Sequence, residues 1–260
     1  MNAHRFTFTV AITVASRAIA LRDRVLRKIA RLSPEESARV TISEHWIPSG
    51  GNLLHAAYVV PAANPPKAAL LICHGIGEIV SYWLPVQHLL AINGVASLVF
   101  DYSGYGCSTG SIDWTQCELD ALAAFEYLQH LAPSTPLSLL GLSLGSGVAA
   151  AIVNQVGPKR LFLCGAFTSF RAASCAICVP RFLSALVPPI WNAEEALRDC
   201  KLPVVIVHGE KDPLFPVHMA SDLASICGSN AELIVVPNLT HNEPFYHPRL
   251  SYWDLIISRL

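Results

Sequence analysis

The sequence predicts an α/β domain, a mainly parallel sheet with helices on both faces. Three observations carry that expectation. Short apolar runs of strand type alternate with helical runs, many of these runs end at loops marked by glycine or proline, and one serine is wedged between a strand and a helix by flanking glycines. Strands buried on both faces read as continuous apolar runs, which accounts for part of a hydrophobic content of 52% against 14% charged residues. At 260 residues, one large domain with a sizeable core is the simplest division.

In chain order, residues 40–48 and 53–61 read as a β-hairpin around Ser49-Gly50-Gly51-Asn52. Residues 69–73 form an apolar strand that breaks at His74-Gly75-Ile76-Gly77-Glu78. A strand over 97–102, a helix over 117–131 and a strand over 137–140 follow. A small-residue helix runs over 146–153, then come strands over 161–164, 204–207 and 232–236. Between about 170 and 200 the alternation pauses. Phe182, Leu183, Leu186, Val187, Ile190 and Trp191, with Pro180, Pro188 and Pro189, read as a compact apolar cap whose side chains line a greasy substrate pocket. The plainer alternative is a crossover helix pair packed on the sheet.

Gly141-Leu142-Ser143-Leu144-Gly145 joins a strand directly to a helix. A serine in such a sharp turn has its hydroxyl pushed out above the sheet, and a Cβ at either flanking glycine would crowd the turn. The Leu144 N–H then faces the space where an oxyanion would form. The bland alternative is a serine capping an ordinary helix.

A serine hydroxyl is a poor nucleophile until a base takes its proton, so a histidine and an orienting carboxylate are required. Asp212 lies on the loop after the strand 204–207, and His241 on the loop after the strand 232–236. Loops past the carboxyl ends of strands are where active-site groups gather in open α/β sheets. Singly, Asp212 reads as a turn former before Pro213 and His241 as a solvated loop residue. Together with Ser143 they form an ordered set. The second oxyanion donor is expected from the loop after the strand 69–73, with the Ile76 N–H as candidate. His74 reads as a loop brace and His208 as a packed histidine ending a buried strand.

His74-Gly75-Ile76-Gly77-Glu78, the run from Asp101 to Gly110, the elbow, Gly209-Glu210-Lys211-Asp212 and His241-Asn242-Glu243 occur in the order found in α/β-hydrolases. From about Ile42 onward the chain resembles the serine aminopeptidase-like branch, which includes monoacylglycerol lipases and lysophospholipases. Asp101-Tyr102-Ser103-Gly104-Tyr105-Gly106 is also similar to the palmitoyl-protein depalmitoylase branch, although the residues around the elbow depart from that pattern. The resemblance implies the α/β-hydrolase fold with a small cap, nucleophile Ser143, acid Asp212, base His241, and oxyanion donors Ile76 and Leu144. It implies no cofactor and no metal.

The function expected is hydrolysis of ester or thioester bonds of small apolar acyl substrates through an acyl-enzyme. A peptidase of the same fold is the runner-up, favoured by an acidic grip on a free α-amine. A non-catalytic binding protein ranks third. Net charge near −1 and the lack of a phosphate-cradling glycine loop give no reason to expect nucleic acid. Cys175 and Cys178 have metal-ligand spacing but no second pair nearby, and thiols in strands suit a reducing, cytoplasmic setting.

Charge is uneven. Up to Arg31 the chain has seven basic residues against Asp23 alone, so the rest is net acidic. A helix from about Arg17 to Leu32 sets Leu21, Val25, Ile29 and Leu32 opposite Arg24, Arg27, Lys28 and Arg31. Residues 1–35 are therefore expected as a basic amphipathic element and 36–260 as the hydrolase domain. The helix reads as a peripheral membrane contact through residues 5–32; a packed helix and a signal sequence stay open as alternatives.

Overall fold

The computed structural model of the chain describes residues 38–243 and 251–260. Val40–Ser49 (β1) and Asn52–Pro61 (β2) pair antiparallel as the expected hairpin. Gly50 and Gly51 between them take positive φ, the backbone that a tight hairpin turn demands. The remaining strands are Ala68–Cys73 (β3), Val95–Phe100 (β4), Leu137–Leu142 (β5), Leu161–Cys164 (β6), Val204–Gly209 (β7) and Ala231–Val236 (β8). They lie parallel to one another, and β4 joins β2 antiparallel. The sheet order is β1-β2-β4-β3-β5-β6-β7-β8.

The helices are Val80–Ile92 (α1), Trp114–Leu131 (α2), Leu144–Val156 (α3), Phe170–Ile177 (α4), Ala193–Arg198 (α5), Val217–Cys227 (α6) and Ser251–Ile257 (α7), with a short 3₁₀ turn over Arg181–Leu186. Period-two alternation sorts strand residues between two cores. Leu70, Ile72, Leu140, Phe162, Val205 and Val207 meet Trp83, Val86 and Leu90 of α1 and Trp253 and Ile256 of α7. Leu71, Leu139, Leu163 and Ile206 face the other way, toward Phe125 and Leu128 of α2, Val148 and Ile152 of α3, and Leu223 of α6. The sheet is thus covered on both sides, as the continuous apolar runs require.

Two boundaries differ in an informative way. The strand expected over 97–102 ends at Phe100, because the Asp101 side chain is used elsewhere: it accepts the Val80 N–H at 2.8 Å, at the start of α1, and the Cys107 N–H at 3.2 Å. A carboxylate at a helix N-terminus satisfies an orphan donor and complements the helix dipole. The helix after the elbow begins at Leu144, two residues earlier than expected.

In the 170–200 region, expected as a compact apolar cap, the apolar residues divide between buried and exposed. The region comprises α4, the 3₁₀ turn and α5, all between β6 and β7. Val187 and Trp191 are buried, but Phe182, Leu183 and Leu186 are exposed to solvent. The 3₁₀ turn buries none of its residues, since with three residues per turn it is too short to offer one face to the core. The basic helix expected before residue 36 lies outside the described residues. Among those residues no helix is long and apolar enough to cross a membrane.

A Cβ on Gly145 would run into the Cys73 carbonyl, and one on Gly141 would meet the Gly145 carbonyl, both rigid backbone. Gly145→Ala is therefore expected to lower stability by about 3 kcal/mol, the upper range for overpacking. The check is the urea unfolding midpoint of the variant against the parent.

Candidate active site

Ser143 sits at the N-cap position of α3, yet its side chain makes no capping bond. The caps of α2, α4 and α5 do the opposite: Asp113, Ser169 and Asn192 each accept a backbone N–H of their own helix. Ser143 also has φ 51 and ψ −121, a left-handed backbone that a non-glycine residue adopts only when its surroundings force it. That conformation turns the hydroxyl away from the helix. Its Oγ lies 2.8 Å from His241 Nε2. The capping alternative is thereby set aside.

His241 Nδ1 in turn lies 2.6 Å from Asp212 Oδ2. Because Nδ1 must donate to a carboxylate, Nε2 carries the lone pair that receives the serine O–H. Asp212 is fixed from the other side, where Oδ1 accepts the N–H groups of Leu214 at 2.8 Å and Phe215 at 2.9 Å. Burial pushes the Asp212 carboxyl up, but the hydrogen bond and charge of His241 and the two amides outweigh it and hold it below the ordinary value. The residues from β5, β7 and β8 expected to meet do meet.

The loops that bear Asp212 and His241 are tied together. Lys211 N–H donates to the Leu239 carbonyl at 3.0 Å and Glu210 N–H to the Val236 carbonyl at 3.0 Å. A Cβ on Gly209 would strike the Leu239 carbonyl, so the two loops lie in direct backbone contact. Gly165, just past β6, has φ 52 and stands beside the imidazole; a Cβ there would reach His241 Cε1 at 3.0 Å.

The other two histidines considered from sequence serve the framework. His208 is fully buried, donates Nε2–H to the Phe215 carbonyl at 2.9 Å, and stands 3.6 Å from Asp212 Oδ2. His74 is fully buried, donates Nδ1–H to the Gly75 carbonyl at 2.8 Å, and packs on Tyr102. Burial lowers both imidazoles below the ordinary 6.5, against the hydrogen bonds and nearby aspartates that act upward. His74 is a brace of the loop that carries Ile76.

That loop has a second brace that sequence reading passed over. Glu78 Oε2 accepts the Gly75 N–H at 2.9 Å and the Trp83 indole N–H at 3.1 Å. Burial raises its carboxyl to about 7 although both donors act downward. Gly77 between them takes φ 71. Gly145 of α3 packs on the backbone carbonyls of Cys73 and His74, so the loop and the elbow share one corner of the sheet. Among the described residues neither the Ile76 N–H nor the Leu144 N–H meets an acceptor.

An aromatic row leads away from the imidazole. Phe215 stands edge-on to His241 with centroids 5.2 Å apart, and Phe167 follows at 5.4 Å. Gly147 of α3 separates Phe167 from Trp191, and Trp191 packs on Phe170 at 5.3 Å and Trp114 at 5.6 Å. The eight cysteines are free thiols, and those of β3 and β6 are buried, which pushes Cys73 and Cys164 up to about 12. Among the described residues no group of histidines, cysteines and carboxylates could hold a metal ion.

Comparison with known proteins places this geometry. The esterase Pf2001 of Pyrococcus furiosus superposes with a TM-score of 0.69, over 88% of this chain and 93% of that one, at 18% identity. A family model described as serine aminopeptidase, S33, matches residues 64–192. The chain has the α/β-hydrolase fold. Among similar proteins, bem46 of Schizosaccharomyces pombe is 29% identical over 200 residues, 72% of this chain and 66% of bem46. The lysophosphatidylserine lipase ABHD12 of Rattus norvegicus is 30% identical over 156 residues, 53% of this chain and 39% of that protein. The chain thus spans less than two thirds of the length of either relative.

Two outcomes are expected from this geometry. Gly165→Ala crowds the imidazole out of line with Ser143, and a misplacement of this size lowers turnover on a short ester about 100-fold. Steady-state assays beside an unfolding curve check that the loss is not one of folding. Secondly, burial makes the folded His208 imidazole bind a proton less readily than the unfolded one, so its contribution to stability is lost as pH falls below 6.5. The raised His55 and Glu78 act in the opposite sense. The measurement is therefore a difference: the stability of His208→Gln should fall less than that of the parent between pH 7 and about 5.

Proposed function

We propose that the chain is a serine hydrolase that cleaves ester or thioester bonds of apolar acyl substrates through an acyl-enzyme. The observation that carries the reading is the continuous hydrogen-bonded chain from Ser143 Oγ through His241 to Asp212. Ser143 Oγ attacks the carbonyl carbon while its proton passes to His241 Nε2. The carbonyl oxygen becomes an oxyanion, held by the Ile76 and Leu144 N–H groups, each worth about 3 kcal/mol in the transition state. His241 Nε2–H then protonates the departing alkoxide or thiolate, leaving the acyl group on Ser143. Water attacks that ester as His241 takes its proton, and the acid leaves as Ser143 Oγ recovers its hydrogen. Asp212 stays ionised throughout and stabilises the imidazolium.

Two features support apolar acyl groups over peptides. The aromatic row beginning at Phe215 supplies an apolar wall, where each buried CH₂ contributes about 0.8 kcal/mol. The segment 165–192 contains no Asp or Glu to grip a free α-amine. The relative described as a lysophosphatidylserine lipase is in keeping with a single-chain lipid ester. The basic stretch up to Arg31 fits the same setting, bringing the domain to an anionic membrane surface.

Ser143→Ala should abolish both ester hydrolysis and fluorophosphonate labelling with the fold intact. Asp212→Asn and His241→Ala should each lower turnover about 10⁴-fold, as a misoriented or absent base does, and His74→Ala far less. A chain-length series of p-nitrophenyl esters, acyl thioesters and aminoacyl anilides identifies the leaving group. Labelling that persists on Ser143→Ala would remove the nucleophile assignment.

A further inference from the structure

The segment between β6 and β7 holds the most concentrated exposed apolar surface among the described residues. Ile177, the last residue of α4, is 53% exposed, and Phe182, Leu183 and Leu186 of the 3₁₀ turn are 84, 38 and 60% exposed. In a 3₁₀ turn residues three apart lie on one face, so Leu183 and Leu186 stand together with Phe182 beside them. Scattered single apolar residues on a surface are ordinary; four large ones within ten residues are not.

Nothing in the geometry makes this a badly folded loop. Its base is pinned: Ser169 and Asn192 form an antiparallel bridge, Arg171 Nη2 donates to the Val187 carbonyl at 3.1 Å, and Val187 and Trp191 are buried beneath. The turn itself is closed by the Leu183 N–H to the Pro180 carbonyl at 2.8 Å. A firm base with an apolar outer face points to a partner that takes apolar side chains.

Position and charge say which partner. The segment follows β6 at the sheet end that carries Ser143, Gly165 and His241, and Ile76 of the neighbouring loop is also 45% exposed. Residues 165–192 contain no Asp, Glu or Lys, and their only charges are Arg171 and Arg181, the latter exposed beside Phe182. Apolar tips beside an exposed arginine complement a bilayer of anionic lipid, whose interior accepts the side chains and whose headgroups accept the guanidinium.

We propose that the surface formed by Ile177, Arg181, Phe182, Leu183 and Leu186 docks on an anionic lipid bilayer and seats the Ser143 end of the sheet against it. This rests on reading the site as a hydrolase of apolar acyl esters, and it adds a second contact to the basic N-terminal stretch.

The test uses the full-length chain with vesicles of phosphatidylcholine, with and without phosphatidylserine. Phe182→Glu/Leu186→Glu is compared with the parent, with the milder Phe182→Ser/Leu186→Ser, and with a form in which Arg24, Arg27, Lys28 and Arg31 are changed to Gln. Co-sedimentation of the Glu pair should fall about tenfold or more, the Ser pair less, with hydrolysis of a soluble short ester unchanged in both. The N-terminal form should lose part of its binding and keep the response to the Glu pair. Vesicle binding that the Glu pair leaves unchanged overturns the proposal, and so does binding abolished by the N-terminal changes alone. A dimer in light scattering that the Glu pair converts to monomer, with vesicle binding unaltered, assigns the face to a second copy and overturns it too. The hydrolase reading fails separately, if the parent neither hydrolyses the soluble ester nor reacts with fluorophosphonate.

Discussion

Helix α3 can start where it does only because Gly145 lets its first turn lie on the carbonyls that end β3. That contact leaves a single residue, Ser143, to turn the chain from strand direction to helix direction, and φ 51 is the result. The strain is not borne by Ser143 alone. Its N–H donates to the Cys164 carbonyl at 2.9 Å, and its carbonyl accepts the Ser146 N–H and hydroxyl at 2.9 and 2.6 Å. With backbone donors and acceptors satisfied on both sides, the side chain is released from capping and stands free for His241. An unusual backbone persists only when its surroundings over-determine it, and here they do.

The same economy governs the charges. Three buried or nearly buried histidines sit near the sheet end, and their hydrogen bonds separate their roles. His74 and His208 each spend their donor on a backbone carbonyl, and burial lowers both below the ordinary 6.5. Only His241 spends its donor on a carboxylate, which can stabilise a positive imidazole at the moment one forms. Asp212 can serve because two amides already hold its other oxygen, fixing its plane without help from solvent. His208, 3.6 Å away, fills the space behind Asp212.

Much of this was legible in the sequence, because in a parallel sheet each strand delivers its following loop to the same edge. Apolar runs over 137–140, 204–207 and 232–236 therefore sufficed to bring Ser143, Asp212 and His241 to one side. What was not legible depends on contacts between loops distant in sequence. Gly165 reads as an ordinary post-strand glycine until the imidazole beside it is seen. Glu78 reads as a loop charge until the Gly75 amide and the Trp83 indole are seen to converge on it. Which residues of the apolar run 182–191 face outward was not legible for another reason. Composition gives the hydrophobicity of a segment but not its outward or inward sense, and a 3₁₀ turn lacks the periodicity from which that sense is read in helices and strands.

That failure of periodicity has a structural counterpart. The loops that follow β5, β7 and β8 are tied by strand register and by backbone contacts between them. The segment between β6 and β7 is held by the Ser169–Asn192 bridge and by the packing of Phe170, Ala173, Val187, Trp191 and Leu197, while its 3₁₀ turn buries no residue. Its outer face contributes nothing to the core, and core packing therefore does not constrain which side chains stand there. Chemistry and surroundings are thus handled by separate parts of one chain. On the proposed function, the strand ends hold the groups that act on the acyl bond, and the outer face of the insertion is free to answer to whatever surface presents the substrate.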